Sequence, residues 1–89
     1  MILNPIAVPQ EKMIYRYTKS SDILDIYLEV GKPMVSEEIS EGVYEHFDLV
    51  TDNILGVSIE NYKQQDKDKL HRILPFWIDF KYIDSKICN

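Results

Sequence analysis

The sequence predicts an α+β domain: a small antiparallel β-meander of about four strands followed by one C-terminal helix. Three observations lead there. The stretch from Asp22 to Val30 alternates, with Leu24, Ile26, Leu28 and Val30 on one side and Ile23, Asp25, Tyr27 and Glu29 on the other. Successive strand side chains point to opposite faces, so this stretch makes one apolar face and one mixed face. Polar or glycine-bearing breaks recur on either side of it, and a capped, proline-stopped helical pattern comes late in the chain.

The elements follow in order. Residues 1–12 read as an extended arm, because Pro5 and Pro9 each remove an N–H and fix φ. Its apolar residues predict packing against the domain or a second subunit. From Met13 to Tyr17 the chain reads as a strand, with Met13, Tyr15 and Tyr17 opposite Ile14 and Arg16. A polar turn at Thr18–Ser21 joins it to the alternating stretch, which stops at Gly31-Lys32-Pro33. Met34 to Ser40 is ambiguous: Val35 and Ile39 suit an edge strand kept wet by Glu37 and Glu38. After the turn at Glu41-Gly42, Val43 to Asp48 is a strand whose two faces are hard to tell apart. Thr51-Asp52-Asn53 supplies a reverse turn, with Asn53 suited to a left-handed backbone.

Leu55, Val57 and Ile59 then alternate with Gly56, Ser58 and Glu60 in a clean strand, where the glycine marks a close backbone approach or a bulge. Lys63 to Leu74 is helical, capped by Asp66, striped by Leu70, Ile73 and Leu74, and ended by Pro75. Phe76 to Ile83 fits either period, and its β-favouring residues tip it towards extended. The chain thus divides into the arm (1–12), a β-meander and helix domain (13–74) and an aromatic tail (75–89) that packs on the domain or a partner.

Composition narrows the function. Fifteen acids against 10 bases give a net charge of -5, which disfavours direct nucleic-acid binding. No run approaches membrane-spanning length, and the opening residues lack the positive region of a signal peptide. Cys88 is the single cysteine, so no internal disulfide forms and a reducing, cytoplasmic compartment is expected. With only 89 residues the stability margin is thin, and a partner subunit helps.

Candidate chemistry is sparse. Glu37, Glu38, Glu41, Glu45 and Asp48 lie close in sequence and suit either a hard cation or a charged strand edge. They lack the spacing and central glycine of an EF-hand loop, so no metal site or cofactor is assigned. Tyr44, His46 and Asp48 share one strand face and suggest acid–base work, although i and i+2 residues stand about 7 Å apart. His71 near the helix C-terminus is accounted for by the helix dipole. No catalytic residue is assigned. The aromatic run is the best candidate: Phe76, Trp77, Phe80 and Tyr82, with Tyr27 and Tyr44, form the expected interface set, Trp77 above all.

Ile14 to Glu60 resembles the small bacterial domain-of-unknown-function family 2283. The resemblance rests on Tyr17, Asp22-Ile-Leu-Asp-Ile, Ser36-Glu-Glu-Ile, Glu41-Gly42 and Leu55-Gly-Val-Ser-Ile-Glu, in that order. Thr18, Asp25 and Asn53 depart from the family pattern. The resemblance implies a small sheet protein, antitoxin-like and paired with a small toxin-like partner, and it carries over no catalytic residues. The expected function is therefore non-enzymatic protein–protein interaction, with a homodimer as the expected assembly. The alternatives are a small acid/His-dependent hydrolase and, after it, a cation- or ligand-binding module.

Overall fold

The computed structural model describes residues 13–87. Among them one antiparallel sheet is built from β1 (Ile14–Thr18), β2 (Ile23–Tyr27), β3 (Met34–Ser40), β4 (Val43–Asp48) and β5 (Ile54–Ile59). A 3-10 turn at Tyr62–Gln64 leads to α1 (Lys67–Ile73), and α2 (Phe80–Ile87) follows. The expected arm at residues 1–12 and Cys88 lie outside the described residues.

The strand order is β1-β2-β5-β4-β3. This corrects the four-strand meander in two ways. Met34–Ser40 is a full strand of seven residues, which raises the strand count to five. After β2 the chain also passes to the far edge, and β3, β4 and β5 then return as a meander that sets β5 beside β2. The turn between β3 and β4 depends on Gly42, whose φ of 76° lies where side chains are strained. In the turn before β5 it is Asp52, not Asn53, that takes the left-handed conformation, at φ 64°. Aspartate shares asparagine's tolerance for it.

One face of the sheet carries the core. Leu24, Ile26, Val57 and Ile59 are fully buried, and Val43 and Met13 nearly so. The helical layer meets them with Leu70, Leu74, Phe76, Ile78, Phe80 and Ile83. The predicted alternation in β2 holds through Leu28 but fails at Val30, which is 53% exposed beyond the strand's end.

Asp66 caps α1 as expected, its side chain accepting from the N–H groups of Asp68 and Lys69. Because Asp66 itself is extended, the helix begins at Lys67 rather than at Lys63, and the preceding residues form the 3-10 turn. Leu74 closes α1 before Pro75. The tail is the second correction. Phe76–Ile83 is not a strand, and a second helix starts at Phe80. Asp79 caps it, accepting from the Tyr82 N–H at 3.1 Å, and Phe80 and Ile83 face the core one turn apart. Burial on that helical face overrides the β preference of the residue types. Tyr62 fastens the layer: its buried hydroxyl donates to Asp84 Oδ1 at 2.6 Å, and the Lys67 ammonium sits 4.3 Å from its ring.

Candidate functional site

The opposite face of the sheet carries a polar network that strand register assembles. Ile14, Tyr27, Gly56, His46 and Ser36 fall in one row across all five strands, and Arg16, Asp25, Ser58, Tyr44 and Glu38 in the next. His46 is the centre. It is 8% exposed, and both ring nitrogens are engaged, Nδ1 with Ser36 Oγ and Nε2 with Ser58 Oγ, each at 2.6 Å. Ser58 donates its proton to Asp25 Oδ1 at 2.5 Å, so its oxygen accepts from His46 Nε2–H. Nδ1 is then the acceptor for the Ser36 hydroxyl, which defines a neutral imidazole. Arg16 Nη2 lies 3.4 Å from Asp25 Oδ2. Tyr27 covers the site, stacked on the imidazole at 5.7 Å and 22°.

That stack requires Gly56. A Cβ there would lie 2.4 Å from the Ile26 carbonyl oxygen and 2.9 Å from Tyr27 Cδ1. The sequence offered a close approach or a bulge for this glycine, and both occur, since the β4–β5 register also shifts between His46 and Phe47.

Burial pushes the His46 imidazole below its ordinary value, against the opposing pull of the Asp25 carboxylate. A histidine with a lowered folded value contributes stability above its unfolded pKa of about 6.5 and loses it as pH falls from there through the lower folded value. Melting temperature is therefore expected to drop on acidification from pH 7 to pH 5. The Glu45 carboxyl, raised by burial and by Glu37, works the other way at lower pH. Comparison with His46→Gln isolates the histidine: the variant is expected to be about 1–2 kcal/mol less stable at pH 7 and to show a flatter profile between pH 5 and 7.

Neither Tyr44 nor Asp48 is hydrogen-bonded to His46. Asp48 is buried and caps the next turn, accepting from the Val50 N–H at 2.8 Å. That bond, with further bonds from Thr51 and the charge of Lys32, holds its carboxyl below the usual range. Tyr44 stands opposite Glu38, which with Glu60 pushes its phenol upward. The histidine's real partners, Ser36, Ser58, Asp25 and Tyr27, come from three other strands. Asp25 and Ser58 were visible as polar residues on non-core faces, but only register joins them. Among the described residues no group of three or more His, Cys, Asp or Glu side chains is placed to hold a metal ion.

The interface candidates separate. Phe76 and Phe80 are buried in the core, and Tyr82 packs partly buried, edge-on to Tyr15 at 6.4 Å. Tyr27 lies over His46. Trp77 stays 47% exposed, held flat on His71 at 5.4 Å and 8°. The His71 ring is fixed in turn by Nε2–H donation to the Ile78 carbonyl at 3.0 Å and by contact with Phe80 at 5.0 Å. Trp77 thereby walls a groove of ≈ 480 Å³ between the helices, with Lys67, Lys81, Asp68 and Asp84 around it. This histidine does more than face a helix dipole.

No family model matches the chain, and no curated protein or solved structure does. Among the described residues no helix is long and apolar enough to cross a membrane.

Proposed function

We propose that this chain is a non-enzymatic interaction protein that self-associates through the Trp77 groove as a homodimer. The carrying observation is Trp77 itself. Its neighbours Phe76, Ile78 and Phe80 are buried, yet the largest side chain of the run stays half exposed and stacked in one orientation. An aromatic ordered before binding loses little entropy on association, which is what an interface anchor needs. Lysines and aspartates both line the groove. A surface carrying both signs complements its own copy across a two-fold axis, where each lysine meets the partner's acids. A further small toxin-like partner rests on the resemblance to family 2283 alone.

The Ser36–His46–Ser58–Asp25 chain is read as structural. His46 Nε2 meets a hydroxyl rather than a carboxylate, so no acid directly steadies an imidazolium, and burial makes the ring a weaker base.

Trp77 is the single tryptophan, so its fluorescence reports the surface directly. Emission is expected to shift to shorter wavelength as protein concentration rises through the association range. Trp77→Ala is expected to remove self-association while costing the monomer only about 1 kcal/mol, the worth of its ring stack. An emission maximum independent of concentration up to the millimolar range would refute the proposal.

A further inference from the structure

A second surface lies on the sheet's far edge, apart from the Trp77 groove. β3 is an outer strand of seven residues, and Met34 to Glu38 are all exposed. No strand pairs with its outer side among the described residues. Such an edge presents a row of free N–H and C=O groups to any extended chain of suitable side chains. Register is regular from Met34 to Glu38 and shifts only after it, so this part of the edge is straight enough to pair.

The charges select the occupant. Glu37 and Glu38 are adjacent and point to opposite faces. Glu37 stands directly opposite Glu45 on β4, and Glu45 in turn pairs with the core residue Val57. No lysine, arginine or histidine lies within salt-bridge distance of Glu37, Glu38 or Glu45 among the described residues. Charges on an edge strand alone guard against self-pairing. A second acid on the inner strand, facing the first, adds nothing to that guard and costs cross-strand repulsion. Partial burial and Glu37 already raise the Glu45 carboxyl. A cation arriving at the edge relieves this repulsion, whereas a second copy of β3 brings more acid.

We propose that the β3 edge pairs with an extended segment of a basic partner protein. The fitting segment has two adjacent basic residues in a β-favouring context, one directed to each face of the sheet. One meets Glu38 on the open face, and the other meets Glu37 and reaches towards Glu45.

The test is a titration of the full chain with the blocked heptapeptide Thr-Val-Thr-Lys-Lys-Val-Thr, followed by amide NMR shifts. Shifts are expected to concentrate on Met34–Ser40, and 0.5 M salt is expected to weaken binding. Glu37→Lys combined with Glu38→Lys is expected to lower affinity about tenfold, two exposed ion pairs becoming repulsions. The same variant is expected to gain binding to the Glu-Glu version of the peptide, which excludes simple misfolding as the cause. Glu37→Gln with Glu38→Gln provides a milder check on the same edge. No binding to the native chain, equal binding of both peptides, or shifts centred elsewhere would overturn the proposal. Protection of the β3 amides in a dimer of this chain would also overturn it, by making a second copy the occupant. Trp77→Ala, run in parallel, is expected to bind the peptide normally, so failure at the groove and failure at the edge are read separately.

Discussion

Ile26→Asp is expected to abolish the cooperative thermal transition at neutral pH, whereas Tyr27→Asp is expected to leave a folded protein. Ile26 is fully buried between Tyr15 and Val57 in the register of β1, β2 and β5. The substitution forfeits the burial of a large aliphatic side chain, about 2–5 kcal/mol. It also leaves an unpaired carboxylate among Leu24, Ile59 and the helical layer. Together these exceed the margin of a domain this small, roughly 5 kcal/mol. Tyr27, one residue on, faces the other side and is only partly buried. Its loss removes the stack on His46 and uncovers Gly56. The expected cost is about 1–2 kcal/mol. Circular dichroism melts of the two variants check the ranking. The reverse order would mean that the sheet is turned over by one residue.

Gly56→Ala should be the most damaging of the chain's three glycine-to-alanine changes. The added carbon would lie 2.4 Å from the Ile26 carbonyl oxygen, which is backbone in a central strand pair and has no rotamer to yield. Relief requires β2 and β5 to separate, and that weakens the pairing that joins the first hairpin to the rest of the sheet. It also displaces Tyr27 from His46. Overpacking of this kind costs about 3 kcal/mol, seen as a lowered urea midpoint. Gly31→Ala provides the contrast. Nothing lies within 4 Å of a Cβ there, and only its φ of 90° opposes the change.

Local chemistry made much of the fold legible. Alternation placed Leu24, Ile26, Leu55, Val57 and Ile59 in the core, and each is buried. Asp66 and Pro75 marked the ends of α1 because caps and proline act within one turn. What could not be read was set by contacts distant in sequence. The β2–β5 pairing joins residues about thirty apart, Leu24 to Ile59 at one end and Tyr27 to Gly56 at the other, and nothing in either strand announces it. The same pairing brings Asp25 to Ser58 and so to His46, whereas sequence spacing alone matches the histidine with its strand neighbours Tyr44 and Asp48. In the tail, residue type and final structure disagreed. Phe76 to Ile83 carries β-favouring side chains, but Asp79 starts a helix that buries Phe80 and Ile83 on one side. Trp77 lies in the turn before that helix, where neither period would have buried it. Its exposure follows from the chain's path, and its order from His71, six residues earlier on α1.

The polar face and the helical layer also carry different requirements. Both ring nitrogens of His46 are matched within the protein, and among the described residues no buried side-chain nitrogen or oxygen lacks a partner. The Trp77 groove and the β3 edge are not matched in this way. One leaves a large aromatic surface in water, and the other leaves an outer strand edge that no described strand pairs, with acids that no described cation neutralises, although Glu38 accepts from the Gly42 N–H at 3.2 Å.

Light scattering of the purified full chain across a concentration series tests the self-association claim most directly. The mass is expected to rise from 10.5 kDa to twice that value, and a Trp77→Ala variant to stay at 10.5 kDa while melting at nearly the native temperature. A native chain that remains at 10.5 kDa throughout, or a variant that dimerises as well as the native chain, would contradict it.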